Sequence, residues 1–237
     1  MKHQILKPLL SLAAAFIVIS ANAIDHPKAT LPLVSSERFT LVEDGQPVSI
    51  VVSRTEDKAI LRAADNLVLD FERVTGNKPA LSDIPQSARV IIIGSLDSPL
   101  VNQMIQRGKF DPSELKGCRE KYLIQTIENP LEGVDDALVI VGSDRRGAVY
   151  GIYEISEQIG VSPWYDWADA PIARQDDLSI ARGSYTAGEP AVRYRGIFLN
   201  DEAPCLTGWV KHTYGTEYGD HRFYERVFEL ILRLRGN

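Results

Sequence analysis

Two short runs constrain this chain more than anything else in it. They are Arg89-Val90-Ile91-Ile92-Ile93-Gly94-Ser95 and Ala137-Leu138-Val139-Ile140-Val141-Gly142-Ser143. Both are rich in β-branched residues and neither alternates with polar ones, so each predicts a strand buried on both faces. Each run leads into a helical pattern, near Pro99 to Arg107 and from Arg145 to Ile159. A strand feeding a helix, twice, predicts an α/β layered domain with helices packed on a mixed sheet. Between the runs, Tyr122 to Ile127 alternates and predicts a half-buried strand. Upstream, Phe39-Thr40-Leu41 and Val48 to Val52 predict two short strands around the turn Glu43-Asp44-Gly45. A helix from about Glu56 to Val74 follows, with Ile60, Leu61, Ala64, Leu67, Val68 and Phe71 on one face. Thr55 is placed to cap its start and Gly76 its end.

The pattern changes after Ile159. Ser162 to Asp177 is rich in Pro and Asp, Leu178 to Ile180 predicts a last strand, and Gly183 to Pro190 has linker composition. Val192 to Leu199 then predicts a strand, Asn200 to Asp220 a long polar loop, and Phe223 to Leu234 an amphipathic helix. A single strand, loop and helix cannot bury their own faces. Either that helix packs back on the first domain or the unit opens a larger barrel. The second reading is favoured, with the chain a truncated piece and residues after about Gly183 sensitive to protease. The domain expectation is therefore 24–182 for an N-terminal α/β domain, 183–191 for a linker, and 192–237 for the first β/α unit of a barrel.

Residues 1–23 are expected to be a signal peptide. Lys2 and Lys7 precede an apolar stretch, Leu9 to Ile19, that is too short to span a bilayer, and Ala21-Asn22-Ala23 fits a cleavage site. The protein is then exported, to the periplasm or beyond, with cleavage after Ala23 and no membrane span in the mature chain. The 237 residues are 44% hydrophobic and 24% charged, which is globular composition, and the formal net charge is -6. No Lys/Arg run follows the leader, so a nucleic-acid partner is not expected. Export permits a disulfide, but Cys118 and Cys205 alone make no scaffold and are expected to be ordinary free residues. Nothing organises His212 and His221 as ligands; no metal and no cofactor is expected.

Three motifs merit weighing. Gly142-Ser143-Asp144-Arg145-Arg146-Gly147 lies between strand and helix, where phosphate loops sit, but Ala148-Val149 stands where such a loop needs Lys and Ser/Thr. A turn capped by Asp144 fits better. Pro163-Trp164-Tyr165-Asp166-Trp167 offers aromatic surface for a sugar or for an interface, and the interface reading has the larger share. Asn200-Asp201-Glu202 ends a predicted strand. In a β/α barrel that end faces the active site. A solvated acidic turn explains these three residues equally well. Asp201 and Glu202, being adjacent, point to opposite sides and do not form one glycosidase pair, which sits roughly 5–9.5 Å apart.

Val192-Arg193-Tyr194-Arg195-Gly196-Ile197-Phe198-Leu199-Asn200-Asp201-Glu202-Ala203-Pro204, followed by Leu206-Thr207-Gly208-Trp209, resembles the opening of the catalytic barrel in glycoside hydrolase family 115. Phe223 to Leu234 resembles that family's first barrel helix. Asp144-Arg145-Arg146-Gly147 with Gly151-Ile152-Tyr153 resembles a pattern in the N-terminal α/β domains of family 20, 67 and 115 glycosidases. The resemblance implies an enzyme that removes 4-O-methyl-glucuronic or glucuronic acid from xylan with inversion, and glucuronoxylan or its oligosaccharides as partner. It places Asp201 in the active site, with Asn200 and Trp209 near the substrate. The family's general acid comes from later barrel strands, so this chain alone is expected to be inactive. A family 20 β-hexosaminidase is the rival, but its first strand runs to an Asp soon followed by Arg, unlike Asn200-Asp201-Glu202-Ala203-Pro204. A free-standing carbohydrate-binding or interaction module is the other alternative.

Overall fold

A computed structural model describes residues 37–200, 202–216 and 219–237. The signal peptide expected over residues 1–23, and Asp201, lie outside the described residues. In chain order the elements are β1 (Arg38–Glu43), β2 (Gln46–Pro47), β3 (Ser49–Val52), α1 (Lys58–Thr75), β4 (Leu81–Ser82), β5 (Arg89–Ser95) and α2 (Pro99–Gln106). Then come β6 (Tyr122–Glu128), β7 (Asp136–Gly142), α3 (Arg145–Gln158), β8 (Leu178–Ala181), β9 (Ser184–Tyr185), α4 (Cys205–Tyr214) and α5 (His221–Arg233).

The main sheet runs β4-β3-β5-β7-β6-β9. The first four strands are parallel; β6 and β9 are antiparallel additions. This is the mixed sheet the sequence predicts, and its two runs, β5 and β7, pair in the centre. Both faces are buried there. Ile91, Ile93, Leu138 and Ile140 join the core under α1 and α3, while Val90, Ile92, Val139 and Val141 join a second core with Leu100, Val101 and Met104 of α2. Burial of both sets removes any need for alternation, which is why the runs read as continuous. A small antiparallel sheet, β2-β1-β8, closes the first core with Phe39, Leu41 and Ile180.

Local chemistry sets the helix ends. Asp57, not Thr55, caps α1 by accepting from the Ala59 amide at 2.8 Å, and Gly76 ends it in the left-handed region (φ 79°). Asp144 caps α3 by accepting from Gly147 N at 2.8 Å, as predicted. The glycines of the Gly142–Gly151 stretch serve packing. A Cβ on Gly142 would lie 2.0 Å from Ala148 N, and one on Gly147 would lie 2.2 Å from the Lys121 carbonyl oxygen. Both neighbours are backbone and cannot swing away. Gly147→Ala is therefore expected to cost about 1–3 kcal/mol or more, read as a shift in the urea midpoint; an unchanged midpoint would contradict this packing.

The C-terminal part departs from the sequence reading in three ways. Residues 192–199 form no strand ladder among the described residues; a barrel strand needs neighbours on both edges, and here Asn237 N donates to Arg195 O at 2.8 Å on one side. The predicted loop 200–220 contains α4, because Val210 anchors it against Phe223 and Val227 of α5. The stretch predicted as a linker from Gly183 begins as β9 on the edge of β6, with Thr126 N donating to Gly183 O at 3.0 Å.

Helix α5 is also not left bare. It docks on α1 and α3, and Arg233, its last residue, is buried against Asp70 of α1 with Nη2 at 3.2 and 2.9 Å from the two carboxylate oxygens. The helix thus packs back on the first domain, the less favoured of the two readings for its apolar face. No helix among the described residues is long and apolar enough to cross a membrane.

Candidate functional site

The sequence singles out Asn200, Asp201 and Trp209. Asn200 is exposed, and its Oδ1 accepts from the Glu202 amide at 3.2 Å. Glu202 is exposed as well. One residue earlier, Leu199 packs beside Val210, Phe223 and Val227, whereas Phe198 is 92% exposed. Leu199 is thus held against the helices, whereas Ile197, Phe198 and Asn200 are open to solvent.

Trp209 belongs to an aromatic cluster. Its ring centroid lies 5.6 Å from Trp167, 6.0 Å from Tyr214 and 6.3 Å from Phe223, and 43% of the residue remains exposed. Trp167 in turn meets Phe223 edge-on at 6.2 Å. Tyr165 sits between Arg73 of α1 and Arg226, Glu229 and Arg233 of α5. Tyr165 and Trp167 therefore fill the junction between the α/β domain and the helices α4 and α5, the interface role expected of this segment, while Trp164 remains 44% exposed.

The chain at Arg195 is held by a polar network that the sequence reading missed. Arg195 donates to Glu120 Oε2 at 2.7 Å, to the Tyr150 hydroxyl at 3.1 Å, to the Arg235 carbonyl at 2.7 Å and to the Val192 carbonyl at 2.7 Å. Asn237 donates through Nδ2 to Glu120 Oε1 at 3.0 Å and accepts from Arg195 N at 3.0 Å. Glu120 is buried; burial alone would raise its carboxyl pKa, but the hydrogen bonds from Asn237 and Arg195 outweigh it and hold the pKa below the usual value. Arg235 pairs with buried Glu154, which also accepts from Tyr122 Oη at 2.9 Å. Most of these contacts join residues 40 or more positions apart, so no local motif announces them.

A second cleft, of about 570 Å³, opens at the carboxyl ends of β3, β5 and β7, where open α/β sheets commonly bind ligands. Most of its polar groups are taken up by one another, although the buried Ser98 Oγ finds no hydrogen-bond partner among the described residues. Glu56 accepts from Ser95 N at 2.9 Å and Ser95 Oγ at 3.1 Å, Asp57 and Asp144 cap their helices, and Arg145 pairs with Asp57 at 3.4 Å. Asp144 occupies the anion position that a phosphate would need. His212 and His221 are both exposed, no His/Cys/Asp/Glu cluster suited to a metal occurs among the described residues, and Cys118 and Cys205 are free.

This α/β arrangement is one used at the front of glycoside hydrolases. Residues 36–155 match the model of the glycosyl hydrolase family 67 N-terminus, and residues 187–237 match that of glycosyl hydrolase family 115. A solved family GH115 4-O-methyl-α-glucuronidase, described as specific for decorated arabinogalactans, is 33% identical over 84% of this chain, with a TM-score of 0.72. The chain belongs to glycoside hydrolase family 115, with a family 67-type domain ahead of the first part of its barrel. It spans 25% of the length of that relative. A β-hexosaminidase of Streptomyces plicatus and one of Streptomyces coelicolor A3(2) also align, at 13% and 12% identity over 68% of this chain and 25% of theirs, with TM-scores of 0.41 and 0.40. Among curated proteins, none matches this sequence.

Proposed function

We propose that this chain is the N-terminal part of an exported α-glucuronidase that removes 4-O-methyl-glucuronic or glucuronic acid side chains from a plant polysaccharide with inversion. The observation that carries the reading is the 33% identity to the 4-O-methyl-α-glucuronidase, which runs through the α/β domain and into the barrel start. Glucuronoxylan is the proposed substrate, on the sequence resemblance. The decorated arabinogalactans named for the solved relative are the competing one.

In this reading, Asp201 stands at the active-site end of the first barrel strand and acts on the attacking water or on a sugar hydroxyl. Asn200, exposed next to it in the chain, would hydrogen-bond the uronic acid, and the open part of Trp209 would face the sugar. Inversion needs an acid and a base on opposite sides of the bond, with room for water between them. One β/α unit does not supply both, so residues 24–237 alone are expected to release no glucuronic acid from xylo- or arabinogalacto-oligosaccharides. The longer protein, assayed on both, should release it from the xylan-derived set. Turnover by residues 24–237 in contaminant-free preparations would overturn this division of labour, and release from arabinogalactan alone would replace the substrate.

Export is part of the proposal. Lys2, Lys7, the apolar stretch Leu9 to Ile19 and Ala21-Asn22-Ala23 support cleavage after Ala23. The intact mass of periplasmic protein is expected to start at Ile24, and a retained Met1 would refute it.

A further inference from the structure

Glu120 sits in a backbone conformation that its side chain does not favour. Its φ is 55°, in the left-handed region, where Gly or Asn is cheaper and other residues cost on the order of 1–3 kcal/mol. Such a position persists when its surroundings over-determine it. Here they do. The Glu120 amide donates to Asp144 Oδ2 at 2.8 Å, which fixes the backbone to the cap of α3. The carboxylate is then turned inward to three donors from three parts of the chain. They are Arg146 Nη1 of α3 at 3.3 Å, Arg195 Nη2 at 2.7 Å and Asn237 Nδ2 at 3.0 Å.

Two of those donors also meet each other. Asn237 N donates to Arg195 O at 2.8 Å and Arg195 N donates to Asn237 Oδ1 at 3.0 Å. Gly236 lets them come this close, since a Cβ there would lie 3.1 Å from Arg195 O and 2.5 Å from the Ile231 side chain. Tyr150 completes the ring by donating to Gly236 O at 2.7 Å while accepting from Arg195. The chain at residues 193–195 and the chain leaving α5 are thus placed side by side by one buried carboxylate.

We propose that Glu120 is a positioning residue: it locks residues 193–195 to residues 235–237, and this register sets where the chain at Asn200 stands. The lock is read from the geometry alone; its consequence for Asn200 rests on the function proposed above. Charge-assisted hydrogen bonds of this kind each contribute more than neutral ones.

The test is backbone amide exchange on this protein, wild type against Glu120→Gly and Glu120→Gln. Glycine relieves the left-handed backbone while removing the carboxylate, so the fold is kept. The amides of Arg195 and Asn237 are expected to exchange about tenfold faster or more in Glu120→Gly, and by a smaller factor in Glu120→Gln, with the β5 and β7 amides unchanged. Exchange at Arg195 and Asn237 within twofold of wild type overturns the lock. Should Glu120→Gly unprotect β5 and β7 as well, Glu120→Gln decides by the same criterion. In the longer protein, Glu120→Gly is expected to lower kcat by up to about 10²-fold with KM little changed, as for a displaced reacting group. Faster exchange with unchanged kcat overturns the consequence for Asn200. A wild-type protein that releases no glucuronic acid refutes the function and leaves the lock standing.

Discussion

Asp70→Ala is expected to destabilise the protein by about 3–5 kcal/mol, because it removes the carboxylate whose two oxygens hold Arg233 Nη2 and leaves that buried guanidinium with Glu229 as its remaining counter-charge. Asp70 is fully buried in α1 and Arg233 is buried at the end of α5. Arg233 spans both Asp70 oxygens, its Nε reaches Glu229 at 2.9 Å, and its guanidinium lies over the Tyr153 ring at 4.5 Å. Arg73 shares Asp70 at 2.7 Å but is partly exposed and can turn to water. Arg233 cannot. Urea unfolding of the variant should show the loss, and limited proteolysis should open the chain near α5 first, since this pair ties α5 to the domain. The double variant Asp70→Leu with Arg233→Met should recover most of the stability, because replacing both charges by apolar groups of similar size is often neutral. If the double variant is as unstable as the sum of the singles, the pair is not the cause.

Asp201→Asn in the longer protein is expected to lower the rate by roughly 10²–10⁴ if the carboxylate acts on water. If Asp201 only holds the sugar, the loss appears largely in KM. Glu202→Gln, compared side by side, should be milder: Glu202 is exposed, and its tie to Asn200 runs through its backbone amide, which the substitution leaves in place. Neither change should move the melting temperature. Wild-type kinetics for Asp201→Asn would remove this residue from the site.

The sequence made the centre of the fold legible because its physics is local. Continuous runs such as Val90–Ile93 can be stable only when covered on both sides, and the caps Asp144 and Gly76 act on their own helices. The strand at Leu178 and the junction role of Trp167 were readable for the same reason: apolar bulk at a punctuated place in the chain must go inside. What was not legible depends on distant partners. Helix α4 shows weak periodicity in a polar stretch and exists because Val210 finds Phe223 and Val227. Tyr122 to Ile127 alternates in composition, yet most residues of β6 are buried, because Tyr122 and Ile124 enter one core while Leu123 and Ile127 enter the other. Arg233, Arg235 and Arg195 look like ordinary surface arginines until Asp70, Glu154 and Glu120 are brought to them. Of the candidate site, the exposed polar character of Asn200 was readable from composition, and the clamp at Arg195 was not.

The proposal that this chain opens an inverting α-glucuronidase makes a stereochemical prediction. Following the reaction of the longer protein on 4-O-methylglucurono-xylo-oligosaccharides by proton NMR tests it most directly. The uronic acid should appear first as the β-anomer, with the xylan backbone intact. Its appearance as the α-anomer, or the absence of any released uronic acid while another sugar is freed, would contradict the claim.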